Sequence, residues 1–293
     1  MIMADYFDFR KFYDAAVADY PGNELFCLVD HAGMTGLHRA LLRSGRPWAS
    51  LFQDSAQESA LAAAPLLFPL VVQGERGQGQ FLEWLAAHGT YTSTVLMLSS
   101  PAGLDTLCGR LARRMHARVS EGMDVLLRYF DPRVFEALLA VFDEEQGSAF
   151  LNPADCWWYL DRGGALLRQP SAYADEEMDS PIVLSAAQEF ALLDASEIDQ
   201  VGAQLQSMLP DAVLSIGLAQ RPAFLRRHME AARLAGIAAT HEVALYCGLA
   251  LLYGEEFAQS SPWRELLAKV RTSPARFADL VAAQEESSTQ GAM

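Results

Sequence analysis

The chain has 293 residues, 51% of them apolar, with 22 basic and 37 acidic side chains and a net charge of -15. That length makes one large domain or two ordinary ones, and the apolar content excludes wholesale disorder. The acidity argues against nucleic acid as a partner, because nothing general offsets repulsion from a phosphate backbone. The longest apolar stretch, residues 243–253, is too short to span a bilayer, so no membrane insertion is expected. The first five residues lack the basic-then-apolar run of a secretory signal. Cys27, Cys108, Cys156 and Cys247 stand far apart in apolar surroundings, as reduced thiols do. A soluble, cytoplasmic protein is the expectation.

In chain order, Leu25-Phe26-Cys27-Leu28-Val29 is a continuous apolar run ending at Asp30, the pattern of a strand buried on both faces. Residues 36–43 read as a helix with Leu37, Leu41 and Leu42 on one side, stopped by Ser44-Gly45. Residues 66–72 form a second strand, in which Pro69 implies an edge or a bend. A polar, glycine-rich turn over 74–79, a short helix over 81–88 and a β-branched strand over 91–98 follow. Ser100-Pro101 carries the cap-and-proline signature of a helix start. That helix is expected to run to Val119, with Leu104, Leu107, Leu111 and Met115 inward. A fourth strand is expected over 124–130. Asp131 and Pro132 then open a helix over 133–142, and Trp157-Trp158-Tyr159-Leu160 makes a fifth strand. Strands and helices alternating at this spacing predict an α/β lobe over residues 1–169, its sheet mixed or largely parallel and flanked by helices.

Residues 170–180 read as an acidic linker. Beyond them strand signals nearly vanish, and an all-α lobe is expected over 181–283. Ser185 and Gln188 match a capping box, Ser196 and Thr240 cap further helices, and Gly236 and Gly254 stop two of them. Ser261-Pro262 and Ser273-Pro274 open two last helices, and 284–293 is expected to be a disordered tail. The charge is uneven. Residues 1–135 hold 12 basic and 14 acidic groups, residues 136–220 hold 2 and 15, and residues 221–293 hold 8 and 8. The acidic middle is either a self-repelling hinge or a surface that steers a basic partner.

Templates for chemistry are incomplete. No Gly-x-Ser-x-Gly run occurs, and neither lysine, Lys11 or Lys269, stands in a phosphate loop. Gly74, Gly77 and Gly79 are in the wrong order for a dinucleotide turn. His241-Glu242 begins like a zinc-protease helix, but Leu245 replaces the second histidine. His31 and His38, seven apart, lack a nearby cysteine to complete a metal set. Cys27 has no cationic neighbour in sequence to activate its thiol. Asp30, at a strand end, either joins Glu24 or Asp131 as an acid pair or simply accepts backbone hydrogen bonds there. No catalytic residue, metal or cofactor is expected. The alternative is a hydrolase or transferase using Asp30 or Asp131.

Binding is better supported. The charge-free helix over 243–253 is either the centre of the second lobe or presents one side to a partner. Trp157 and Trp158 put large rings on both faces of one strand. Arg110, Arg113, Arg114 and Arg118 read as a basic stripe on one helix, either solvated or paired with the acidic middle or an acidic partner. Candidate partner contacts are therefore Trp157, Trp158, Tyr246, Leu249, Tyr253 and Arg113, with the second lobe's helical groove suited to an apolar or amphipathic segment.

Four stretches occur in a telling order: Pro47-Trp48-Ala49-Ser50-Leu51-Phe52, Ala64-Pro65-Leu66-Leu67, Leu98-Ser99-Ser100-Pro101, and Leu127-Arg128-Tyr129-Phe130-Asp131-Pro132-Arg133-Val134. Over residues 25–160 the chain resembles the N-terminal domain of bacterial type VI secretion effector chaperones, or adaptors, a domain long catalogued as of unknown function. Leu151-Asn152-Pro153 departs from the Phe-Gly-Pro usual there. The resemblance implies a non-enzymatic role: holding a toxic effector in the producing cell and loading it onto the valine-glycine-repeat spike protein, without being exported. Trp48, Arg128, Asp131, Pro132 and Arg133 are its structural motif. In it Asp131 caps a helix, Pro132 starts it, and the two arginines either tie strand to helix or meet a partner.

Overall fold

The computed structural model describes residues 5–290 apart from 56, 73, 75, 76, 179, 273 and 274. Part of the glycine-rich turn, Asp179 of the acidic segment and the Ser273-Pro274 cap thus lie outside the described residues, as do 291–293. The chain forms two compact units, the first up to Asp194 and the second from Ala195.

The first unit begins with α1 (Phe9–Asp19), which the sequence did not announce. Asp8 caps it by accepting from the Arg10 and Lys11 amides, and Phe9, Phe12 and Ala16 form its inward stripe. β1 (Glu24–Asp30) follows, then α2 (Leu37–Ser44), which buries Leu37 and Leu41 while leaving Leu42 exposed. Next come β2 (Ala49–Ser50), β3 (Pro65–Pro69), α3 (Gln78–Gly89) and β4 (Val95–Ser100). Ser100 ends β4 instead of capping a helix: its hydroxyl donates to the Pro153 carbonyl and accepts from the Ala102 amide. α4 (Leu104–Arg113) therefore starts later than expected, and it also stops earlier. The residues after it form β5 (His116–Arg118), paired with β6 (Asp124–Leu126). α5 (Pro132–Val141) starts at Asp131-Pro132 as expected, and α6 (Glu144–Leu151) opens with a capping box between Asp143 and Gln146. β7 (Cys156–Leu160), β8 (Leu166–Pro170), β9 (Ile182–Val183) and α7 (Ala186–Ala195) follow, the last opened by the Ser185–Gln188 capping box.

The main sheet has the order β2-β3-β1-β4-β7-β8, and every ladder in it is antiparallel. This overturns the mixed or largely parallel sheet expected for an α/β lobe. β3 and β4 do run the same way, but β1 lies between them and opposes both. Continuous apolar strands reported burial on two faces, which antiparallel strands also reach when helices cover both sides. The parallel pairing described is between β5 and the two-residue β9, in the small sheet β6-β5-β9.

Register explains the two covers. Trp158, Met97, Cys27 and Phe68 lie opposite one another and share a face. On that face the Trp158 ring meets Phe12 and Tyr20, on and just after α1, and Phe68 meets Phe81 of α3. Trp157, Leu98 and Phe26 occupy the neighbouring row on the opposite face, where Trp157 packs on Phe135 of α5 and Phe150 of α6.

The second unit is helical, as expected: α8 (Glu197–Met208), α9 (Pro210–Leu214), α10 (Arg221–Leu234), α11 (Thr240–Tyr253), α12 (Trp263–Val270) and α13 (Phe277–Gln290). α13 carries helix into the segment expected as a tail. α11 is the hub and buries Val243, Ala244, Tyr246, Cys247, Leu249 and Ala250. A Cβ on Gly248 would stand 3.2 Å from a Leu209 methyl, so glycine there lets the end of α8 approach closely.

Candidate functional site

The Arg-Tyr-Phe-Asp-Pro-Arg stretch, expected as the end of a strand, is a turn between β6 and α5. Its two rings are core: Tyr129 donates its hydroxyl to the Leu111 carbonyl at 2.8 Å, and Tyr129 and Phe130 are both buried. Strand pairing past Leu126 would have pointed one ring outward, and burying both favours the turn. Arg128 leans over the Phe130 ring and reaches Asp30 at the end of β1, with Nη2 to Oδ2 at 2.8 Å. The arginine side chain is 54% exposed and the carboxylate only 5%. The other Asp30 oxygen accepts from the Ala32 amide. Asp131 caps α5 through the Arg133 amide and forms a two-pronged ion pair with the Arg133 guanidinium.

The acidic residues weighed as a pair are not brought together. Glu24 and Asp30 sit at opposite ends of β1, about 20 Å apart at strand rise. Asp30 and Asp131 are each engaged by their own arginine. Half-buried Trp48 carries the His38 ring edge-on, His31 hydrogen-bonds the Leu61 carbonyl through Nδ1, and the two histidine rings lie 6.2 Å apart. No cluster of three or more potential metal ligands occurs among the described residues.

Most of the aromatic and apolar candidates for partner contact are enclosed. Trp157 and Trp158 are core of the first unit, one on each side of the sheet, and Trp157 donates its indole N–H to the Leu151 carbonyl. Tyr246 and Leu249 are core of the second unit, so the groove expected along 243–253 is filled by that unit's own side chains. Tyr253 does reach solvent, at 52% exposure, against the Trp263 ring. Burial raises the thiol pKa of Cys27, takes Cys108 to about 11 and Cys247 to about 12, so none of the three is a ready nucleophile.

The arginines on and after α4 are not a solvated stripe. Arg118 lies on β5 and pairs with Asp124. Arg110 and Arg114 point inward, with exposures of 4% and 1%. Arg114 satisfies its fork on main-chain carbonyls of Ala149, Phe150 and Arg110, each at 2.7 Å, and on Asn152 Oδ1. Burial, with Arg110 and Arg113 adding to it and Tyr129 opposing, lowers its pKa to about 10. Its position was legible: it stands three residues after Leu111 and seven after Leu107, on the inward stripe.

Residues 171–178, expected as linker, form an extended strap laid on this cluster. Ser171 and Tyr173 bond to Asp155, and the Ala174 amide donates to the Asn152 carbonyl. Arg110 Nη2 donates to Asn152 Oδ1, to the Ala174 carbonyl and to the Glu176 carbonyl, while its guanidinium lies 4.9 Å from the Tyr173 ring centre. Arg113, half-exposed, pairs with Glu177.

No helix of the described residues is long and apolar enough to cross a membrane. No curated protein and no solved structure matches the chain. Residues 25–149, which contain the four stretches singled out above, the Asp30–Arg128 contact and the α4 arginines, match the model of a family described as a domain of unknown function, DUF4123.

Proposed function

We propose that this chain is a cytoplasmic, non-enzymatic adaptor of a bacterial type VI secretion machine. It binds one toxic effector and docks it on the valine-glycine-repeat spike protein, and it is not exported. The family match over 25–149 carries this reading, because it spans the motif stretches on which the resemblance rests. The chemistry at the motif agrees with it: Asp30 and Asp131, the carboxylates an enzyme would use, are each held by an arginine and a backbone amide. Binding acts by mass action, stabilising the bound form of the effector until the spike complex replaces it.

Surface for such binding comes from side chains other than the enclosed aromatics. In the first unit the outward rows of the small sheet present Leu126 and Val183, and α7 presents Phe190 and Leu193. In the second unit a cavity of about 380 Å³ lies between α8 and α10, with Ile198, Met229 and Leu234 rimmed by charge. The second unit contacts the effector there in this reading, and the first contributes to the spike surface.

Affinity purification of the tagged full chain from its native bacterium, followed by mass spectrometry, tests the proposal. A toxin and a spike protein should be enriched, and Leu234→Glu should lose the toxin while keeping the spike. Enrichment of neither overturns the adaptor. Turnover of a small molecule that Asp30→Asn abolishes would establish the enzyme instead.

A further inference from the structure

A guanidinium taken out of water costs several kcal/mol unless a counter-charge or a full set of acceptors replaces its hydration. Arg114 has the full set. Arg110, one turn earlier, does not: Nη2 makes all its hydrogen bonds, while Nε and Nη1, equally buried, have no acceptor among the described residues. No carboxylate of the described residues pairs with either arginine, although the strap laid on them carries three. Asp175, Glu176 and Glu177 are all exposed, and of these Glu177 reaches only Arg113 at the rim. To Arg110 the strap offers two main-chain carbonyls and one tyrosine ring. Nothing in that set is peculiar to its sequence, since any extended chain with an aromatic residue in register presents the same groups.

We propose that Arg110, Arg113 and Asn152 form a docking site for an extended acidic segment of a partner polypeptide, with residues 173–177 as the cis occupant that the partner displaces. That the partner is a polypeptide rests on the adaptor reading. The partner's advantage over the strap is a carboxylate on one of the two forks of Arg110, Nε with Nη2 or Nη1 with Nη2, each of which holds a donor that the strap leaves without an acceptor. Its acidity meets little net repulsion, because displacing the strap carries Asp175, Glu176 and Glu177 away from the site as new carboxylates arrive. Tethered at both ends, the strap competes at an effective concentration of about a millimolar, so the native chain holds the site closed to weak or chance ligands.

The test uses a fluorescent synthetic peptide with the sequence of residues 170–178, titrated with the full chain. One form is native; in the other, residues 172–177 are replaced by glycine and serine at equal length. The replaced chain should bind the peptide roughly tenfold or more tightly than the native chain, since the competing strap is gone. Raising salt should weaken that binding, and Arg113→Glu should reduce it about tenfold, the effect of replacing an ion pair by repulsion. A peptide carrying lysine at the position of Glu177 should restore it. Equal, weak binding by both chains overturns the proposal. If the replaced chain fails to show a cooperative thermal transition, Tyr173→Ala with Glu177→Lys in the otherwise native chain loosens the strap, and the same comparison decides. A failed titration alongside toxin and spike recovered from the native bacterium removes this site and leaves the adaptor reading intact; the reverse pattern removes the reading.

Discussion

α4 and α11 are each packed into the core of their own unit, and they are made in opposite ways. α11 brings in alanine, cysteine, leucine and one tyrosine, so its fit is a matter of volume. α4 brings in leucines and, beside them, Arg110, with Arg114 just past its end; these need acceptors at fixed positions, supplied by Ala149 and Phe150 in the last turn of α6, by Asn152 just after it and by the strap. Apolar packing tolerates exchange of shape for shape, whereas a buried guanidinium ties distant segments to one geometry. The first unit therefore holds its loops by buried guanidinium groups, a kind of contact that α11, which contains no arginine, does not make.

That contrast can be broken most sharply at Arg114. Arg114→Ala strands several buried carbonyls and opens a cavity, and should cost the first unit about 3–5 kcal/mol in urea unfolding. Arg114→Lys should recover little of this, because an ammonium cannot span the fork. Leu249→Ala is the matching cut in α11, expected to cost the second unit about 3 kcal/mol and to shift only its transition, which tryptophan fluorescence and proteolysis separate. Equal sensitivity of both transitions to either change would end the comparison.

Smaller effects sharpen it. Arg128→Ala leaves the buried Asp30 carboxylate with one amide donor, and the loss should be about 1–2 kcal/mol because the arginine itself is half in water. The least effect comes from His228, buried in the second unit between Phe224 and Tyr246, whose Nε2 has no hydrogen-bond partner among the described residues and lies 3.9 Å from a Glu255 carboxylate oxygen. Burial lowers its pKa, with Glu255 opposing and Arg227 assisting. The folded form then binds the proton less readily than the unfolded form, so stability is full above the ordinary histidine value of about 6.5 and falls as pH drops below it. His228→Phe should flatten that acid limb of the second unit's melting temperature; an unchanged slope would assign it to other groups.

Much of the secondary structure was legible because its signals are local. Asp131-Pro132 opens α5, the Ser185–Gln188 box opens α7, and Gly236 and Gly254 end α10 and α11, each through caps and backbone freedom that act over one turn. α1 escaped notice although Asp8 caps it and Phe9, Phe12 and Ala16 keep helical spacing. Without α1, the exposed-looking second face of Trp158 invited a partner that the chain itself provides. The candidate site was half legible. Asp30, Arg128, Asp131 and Arg133 could be singled out as charged residues at element ends, but not the join between Asp30 and Arg128 across 98 positions.

By itself the sequence determined where α5, α7 and the ends of α10 and α11 fall, which stretches are too apolar to face water, and that the second unit is helical. Those properties follow from propensity, capping and periodicity among residues within a few positions of one another. The tertiary structure alone decided that β1 lies between β3 and β4 and opposes both, which acceptors Arg110 and Arg114 meet, and that an acidic strap lies on them. Strand order and buried charge depend on which remote surfaces and acceptors meet, and the free energy of those meetings is set only when the whole unit closes.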